Sequence, residues 1–409
     1  SAIAAARGGC SVLLLEYHHH IGGMSSSGLG KSDVEKRHLI GGLFQEFTEK
    51  VKQHYLETCG EESDNYALCH EGYYFEPSVA EKIFDEMIQS QAKITLRLNC
   101  QITRAEMAGN RVSGIEFENR ANGIRTRVSA KAFIDATYEG DLLALSGAGY
   151  RLGRESRDEF HEPHAGRIYY DYENGVILPG STGEGDDRLP AYTFRLCLSM
   201  DPANAEPISS APEDYNRNHY TPYLDDLKKG RLRGPKNWKP GRGYEPSHFD
   251  TMVRALSVTS LPNGKTDVNI NPRPLGFPFA EENTNYVTGS DACRQTTTQR
   301  IRNLTLGLLF FLQNDTEILE EHRAIARQYH PARDEFTDNG FFPFQLYVRE
   351  ARRLKGEYTL TEHDITCTNE KISEHHPDTI AIGEFPIDSF PCRKKQPQDT
   401  VVLEGYLGM

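Results

Sequence analysis

The residues best suited to chemistry lie among the first thirty. Glu16 ends a short apolar run, Ser11 to Leu15, whose length and composition fit a buried parallel strand. Before it, Ala2 to Arg7 is a small-residue stretch suited to close helix packing, and Gly8-Gly9 ends that helix. An acid at the carboxyl end of the second strand of a βαβ unit accepts hydrogen bonds from nucleotide ribose hydroxyls. Helix, strand and acid together read as the second half of a dinucleotide-binding unit. The glycine fingerprint of such a unit falls about 20 residues before the acid, and fewer residues than that precede Glu16. The chain therefore reads as truncated, without its first strand and phosphate loop, and weak retention of the nucleotide is the expected consequence.

The stretch after Glu16 narrows the cofactor. Gly22, Gly23 and Gly28 are the residue type that lets main chain approach a pyrophosphate, with Met24 between them. Their spacing resembles the E-x5-GG-x4-G pattern of flavin enzymes of the glutathione reductase superfamily, which implies FAD. Plain turns are the other reading of Gly-Gly and Ser-Gly. His18-His19-His20 is expected to be an exposed loop and not a metal site. Adjacent histidines converge poorly on one ion, and nothing nearby completes the ligand set.

A second cluster follows a change of period. Residues 93 to 137 alternate, with turns at Asn110, Asn119 and Ala121-Asn122-Gly123, as a β-meander would. They end in Ala132-Phe-Ile134-Asp135-Ala136-Thr137-Tyr138-Glu139-Gly140-Asp141, an apolar strand leading into a Leu/Ala-rich helix from Leu142 to Ser146. In two-domain flavoproteins a similar strand returns to the nucleotide domain and lies beside the cofactor. Thr137 or Asp141 as a helix N-cap is the plainer reading, and both hold at once. Further on, Arg349, Arg352 and Arg353 stand beside Tyr347 and Glu350. Arg349 is the candidate for stabilising a substrate anion or a reduced flavin, weighed equally against a helix in which Glu350 pairs internally at i,i+3. Histidine's ordinary near-neutral pKa permits His248 as a proton acceptor, although a lone loop histidine is more often structural.

The elements that must position these groups follow from periodicity. Leu39, Leu43, Phe47 and Val51 make one stripe of a helix expected over Ser32 to Cys59, followed by a polar loop from Gly60 to Asn65. A second helix is expected from Ser78 to about Ala92, with Ser78 as N-cap and Glu81 as its capping-box partner. Residues 151 to 285 are proline-rich and irregular, and Tyr192 to Leu198 alternates as a strand does. Tyr215, Tyr220, Tyr223, Trp238, Tyr244, His248 and Phe249 suit either a flat polar ligand such as a sugar or the interior of a loop-rich domain. Lys228 to Arg233 reads as a solvated basic face. Helices are expected over Gly289 to Asp315 and Glu317 to Tyr329, and a strand-like unit over Asp378 to Asp388. The division is residues 1–150 for the cofactor domain, 151–288 for an inserted substrate or cap domain, and 289–409 for a segment returning to the first.

Composition excludes several functions. A net charge of −13 disfavours nucleic acid and anionic membranes. The longest apolar run, Leu304 to Leu312, is about half of the roughly 20 residues of a membrane span. None of the eight cysteines forms a Cys-x-x-Cys pair, so neither a redox disulfide, a zinc ribbon nor an iron–sulfur site is indicated.

Taken in order, the Glu16–Gly-Gly unit, Tyr74-Phe-Glu-Pro77, Phe133-Ile-Asp-Ala-Thr137, Leu261-Pro-Asn-Gly-Lys-Thr-Asp267, Gly307-Leu-Leu-Phe310 and Leu346-Tyr-Val-Arg-Glu-Ala-Arg352 resemble the bacterial FAD-dependent oxidoreductase family related to heterodisulfide reductase A, some of whose members carry a xanthan lyase label. The resemblance covers essentially the whole chain. It implies an α/β fold: a glutathione reductase-type, Rossmann-like FAD domain with a β-meander, plus an inserted α+β substrate domain. By the same resemblance Glu16 binds the adenosine ribose, and Gly22, Gly23, Met24 and Gly28 lie along the pyrophosphate and flavin. Main-chain groups near Ile102 meet the adenine, while Asp135, Thr137 and Asp141 line the cofactor. The N-terminal Gly-x-Gly-x-x-Gly and the closing glycine segment of the family are both absent. The expected function is hydride transfer between bound FAD and a small organic substrate, a carbohydrate-derived one among the options, with the electron acceptor undetermined. The rivals are a nicotinamide-nucleotide dehydrogenase, against which the Asp-Ala-Thr strand and inserted domain count, and a non-catalytic or carbohydrate-binding fragment.

Overall fold

A computed structural model describes the chain apart from residues 172–173, 235–244, 272–275, 367–382, 384, 386, 393–403, 406 and 409. Trp238, Tyr244 and most of the expected 378–388 unit lie outside the described residues. It is a mixed α/β protein with parallel and antiparallel pairing.

Helix α1 (Ala2–Arg7) packs on strand β1 (Val12–Leu15), which pairs in parallel with β2 (Ile94–Arg97), Val12 opposite Ile94. Helix α2 spans Gly42–Cys59 and so begins ten residues later than its apolar stripe implied. Gly41 is extended and Gly42 has φ +61°, and two glycines leave the backbone too free to propagate a helix through them. From there the stripe holds: Phe47, Val51 and Tyr55 are buried against Phe75 and against Ala80, Ile83 and Met87 of helix α4. Between them, Asp64–Leu68 forms a short helix α3 partly within the expected loop. Helix α4 spans Pro77–Gln89. Its N-cap is Glu76, not Ser78, because Pro77 has the fixed φ and missing N–H suited to the first helical position. Ser78 instead donates its N–H and Oγ to Glu335 at 2.9 and 2.8 Å.

The meander is as expected, with β3 (Cys100–Ala108), β4 (Arg111–Asn119) and β5 (Arg125–Ser129) antiparallel in sequence order. The strand expected after it is missing. Residues 132 to 137 pair with no strand among the described residues, and Ile134 is 64% exposed. Asp135 explains this locally. Its Oδ1 accepts from the Thr137 N–H at 2.9 Å, a short-range turn that competes with strand pairing. Its Oδ2 accepts from the Leu143 N–H at 2.7 Å, and Thr137 Oγ1 accepts from the Asp141 N–H at 2.7 Å. Both side chains therefore take first-turn N–H groups of helix α5 (Asp141–Leu145), whose N-cap position is held by Gly140 and not by Thr137 or Asp141.

The rest of the chain is built on a four-stranded antiparallel sheet in the order Leu256–Ser260, Lys265–Ile270, Leu196–Ser199, His330–Pro331. The alternation of Tyr192 to Leu198 carries a meaning other than one buried and one wet face, since residues 191–199 are all buried. Phe194, Leu196 and Leu198 enter the main core, whereas Thr193, Arg195 and Cys197 point to a second, more polar interior. The long helix Asp291–Asn314 contributes Ile301, Leu304, Leu308, Phe311 and Leu312 to that main core, so residues on both sides of 288 share it. The following helix is confined to Glu320–Ala326. Residues 345 to 352 are not helical. They run beside residues 191–195 through a Thr193–Tyr347 bridge, and Glu350 pairs with Arg353 without a helix to space them. No helix among the described residues is long and apolar enough to cross a membrane.

One strand fastens the two halves together. Lys265 and Asp267, two apart and therefore on one face, are 2% and 1% exposed. Lys265 Nζ lies 2.6 Å from Glu76 and 2.8 Å from both Glu335 and Asp334. Asp267 pairs with Arg195 and accepts from the N–H groups of Gly30 and Lys31 at 2.8 and 3.0 Å. Replacing Lys265 by Met would leave Glu76 and Glu335 buried without their cation. Urea unfolding is expected to show a loss of about 3–5 kcal/mol; an unchanged midpoint would refute the pairing.

Candidate functional site

Glu16 stands where β1 runs out. Its N–H donates to the Arg97 carbonyl at 2.9 Å and its carbonyl accepts from Cys100 at 2.8 Å, so the backbone is locked to β2 and β3. The carboxylate accepts from the His18 N–H at 2.9 Å. Burial raises its pKa, the N–H groups of His18 and Tyr17 oppose, and nearby Glu139 adds to the rise. A half-buried carboxylate with so few donors has acceptor capacity to spare for ligand hydroxyls.

The glycines that follow do different jobs. A Cβ on Gly28 (φ +101°) would fall 2.1 Å from the Arg195 carbonyl oxygen, and one on Gly22 would fall 2.6 Å from the Phe84 ring. These two glycines are required by packing within the protein. Gly23 differs: its Cβ would meet nothing nearer than Gln345 Oε1 at 4.0 Å, so its main chain borders open space. Gly23 and Met24 begin a short 3-10 turn to Ser26. Met24 accepts from Ser27 and Leu29, each at 3.1 Å, and Ser27 Oγ accepts from the Gln345 N–H at 2.9 Å. An open main-chain turn that follows a half-buried strand-end acid in the chain is of the kind a dinucleotide needs.

The histidine run is not the exposed loop expected. His20 reaches Glu81 through Nδ1 and Asp338 through Nε2, both at 3.0 Å, and stacks on Phe344. Burial pushes the His18 pKa down to about 4, helped by Arg120 and His20. Only His19 is exposed. Tyr17 bonds Asp291 at the start of the long helix, with the Arg120 guanidinium 3.9 Å over its ring.

The remaining candidates fall into three places. Asp135 and Thr137 take first-turn N–H groups of α5, as described, and Asp141 is clamped by Arg294 at 2.7 Å and Arg352 at 2.9 Å. Against the effect of burial, those bonds hold the Asp141 pKa low. Glu139, its neighbour, receives the Tyr286 hydroxyl at 3.0 Å, and burial raises its pKa. Ile102 lies opposite Phe117 at a bulge in β3. Arg349 donates Nη1 to the Ala191 carbonyl at 2.6 Å, with Phe390 and Tyr347 rings 3.7 and 4.6 Å from its guanidinium. Its Nη2 is buried without a partner among the described residues, and burial pushes its pKa down to about 10. His248 is buried away from these groups, bonded to the Tyr329 hydroxyl at 2.9 Å, its pKa lowered to about 4 by burial and Arg254.

Thus Gly22, Gly23, Met24 and Gly28 lie on one loop that follows Glu16 in the chain and is tied to Gln345, on the same segment as Arg349. Thr193, Arg195, Glu139 and Gln345 were not singled out from sequence. For the first two the signal was present, as the polar half of an alternation whose other half is Phe194, Leu196 and Leu198.

A family profile described as FAD dependent oxidoreductase matches residues 1–406. No curated protein matches the sequence. Among solved structures, the glycerol-3-phosphate dehydrogenase from Bacillus halodurans, complexed with FAD, is similar over 43% of this chain at 12% identity and a TM-score of 0.25; the chain spans 41% of that protein.

The bond to Glu81, opposed by burial and helped by Asp338, raises the His20 pKa above its ordinary 6.5. Protonated His20 therefore stabilises the loop fully below about 6.5, and the gain is lost as pH rises through the elevated value. Thermal unfolding across that window should show a downward drift in wild type that is smaller in His20→Gln. Parallel drifts would remove His20 as the cause.

Proposed function

The chain belongs to the FAD-dependent oxidoreductase family and FAD is its cofactor; from that premise we propose that it moves a hydride between an organic substrate and a flavin lying along the Gly22–Gly28 loop. FAD supplies the hydride-accepting ring when bound. Glu16 accepts the adenosine ribose hydroxyls, and main-chain groups near Ile102 meet the adenine. Gly23 and Met24 offer their main chain to the pyrophosphate and flavin, while Gly22 and Gly28 hold the loop's shape against Phe84 and Arg195. Asp135, Thr137 and Asp141 line the opposite side from the start of α5. Arg349 supplies positive charge where anion develops. Burial of His248 on Tyr329 favours a structural role for it over proton acceptance. The Leu261–Asp267 and Leu346–Arg352 motifs support placement in the branch related to heterodisulfide reductase A. Less supports a sugar substrate: Tyr220 and Tyr223 are core residues whose hydroxyls donate to the carbonyls of Leu304 and Phe277.

The observation that carries this reading is the half-buried Glu16 carboxylate at a strand end, with acceptor capacity to spare, followed in the chain by the open main chain of Gly23. Quenching of flavin fluorescence on titration with the protein measures it. Glu16→Ala removes charge-assisted bonds to the ribose worth about 1.5–3 kcal/mol, so FAD affinity should fall roughly ten- to a hundredfold. Equal affinity of variant and wild type, or tighter binding of NAD than of FAD, would overturn the assignment.

A further inference from the structure

Residues 191–195 and 345–349 lie side by side, with Tyr347 opposite Thr193 and the Tyr347 N–H donating to the Thr193 carbonyl at 2.7 Å. Opposed residues of an antiparallel pair project from one face, and so do residues two apart. Thr193, Arg195, Tyr347 and Arg349 therefore share a face. It lies against the glycine loop: Gly28 meets the Arg195 carbonyl, Ser27 holds Gln345, and Asp267 joins Arg195 to Gly30.

That face carries open donors. Thr193 is 0% exposed, and its Oγ1 has no partner among the described residues. Arg349 Nη2 is likewise buried and unpartnered; Asp388 acts on the guanidinium through space, with no ion pair between them among those residues. Arg195, by contrast, gives its charge to Asp267. A buried unpaired hydroxyl and a buried guanidinium nitrogen without a hydrogen-bond partner are both costly, and such groups are kept where a ligand completes them. Aromatic rings of Tyr347 and Phe390 flank the guanidinium.

We infer that Arg349 Nη2 and Thr193 Oγ1 form a two-point carboxylate subsite, so that the substrate presented to the flavin is an organic carboxylate. Two open donors on a face whose guanidinium is held in no ion pair among the described residues match the two oxygens and negative charge of that group. Its position next to the flavin rests on the FAD reading above; the anion site itself does not.

The test titrates FAD-loaded and FAD-free protein with acetate, pyruvate and benzoate, and with acetamide and benzamide as neutral partners. Calorimetry and the flavin spectrum provide the readouts, and FAD content is measured in each sample. At least one carboxylate should bind the loaded protein tenfold or more tighter than the amides, about the difference expected of a charge-assisted bond. Arg349→Met should weaken it about tenfold or more and Arg349→Lys less, while Thr193→Val should weaken it by roughly three- to tenfold, with Thr193→Ser restoring it. If Arg349→Met does not fold, Arg349→Lys with the Thr193 pair decides. Failure of all three carboxylates to bind, amides binding as well, or indifference to both positions overturns the inference. So does binding confined to FAD-free protein, which would give these donors to the flavin. Arg349-dependent binding by a protein that takes up no FAD would uphold the subsite and sink the cofactor reading.

Discussion

The buried cation of Lys265 sets the geometry of this protein. Lys265 sits in the interior among Glu76, Glu335 and the more exposed Asp334, and these carboxylates belong to segments far apart from it in the chain. Burial penalises the lysine and the two glutamates, so none of these three is tolerable without the others, and only one relative arrangement satisfies all of them. Glu76 is at once the N-cap of α4 and the acceptor of the Tyr55 hydroxyl from α2. The start of α4, the end of α2 and the central sheet are thereby fixed together.

The glycine loop depends on the same strand. Two residues along, Asp267 takes the N–H groups of Gly30 and Lys31 and the guanidinium of Arg195, while Gly28 closes on the Arg195 carbonyl. Beyond it, His20 ties the loop to α4 and to Asp338. A loop bound at so many points presents the main chain of Gly23 and Met24 in one shape, and preorganisation of that kind lowers the cost of holding an extended cofactor. The Arg294–Asp141–Arg352 clamp does the same for the start of α5.

Local signals told most of this from sequence, and non-local ones did not. The apolar run ending in Glu16 and the even meander could be read because strand period and strand-end chemistry are properties of neighbouring residues. Periodicity makes helix α2 too long because the Leu39 stripe continues through two glycines that the backbone does not cross as helix. Ser78 looked like a cap, but Pro77 had already fixed the start of the helix. The Ala132–Ile134 run reads as a strand by composition, yet Asp135 turns the chain onto its own N–H groups. The arginine-rich segment reads as a helix until Thr193 is seen to lie opposite Tyr347, a pairing between residues more than 150 apart that no window of sequence contains. The Lys265 and Asp267 roles were equally hidden: the motif was visible, but its purpose depends on partners drawn from both halves.

On the proposed reading, the sheet, through Asp267, holds the glycine loop in the shape that receives FAD. Flavin fluorescence titration of Asp267→Asn tests it most directly, since Asp267 is bonded to the loop and not placed against the cofactor. With Gly30, Lys31 and Arg195 deprived of their carboxylate, FAD affinity should fall at least about fivefold, in step with a lost hydrogen bond of about 1 kcal/mol. A folded Asp267→Asn protein that binds FAD as tightly as wild type would contradict the account.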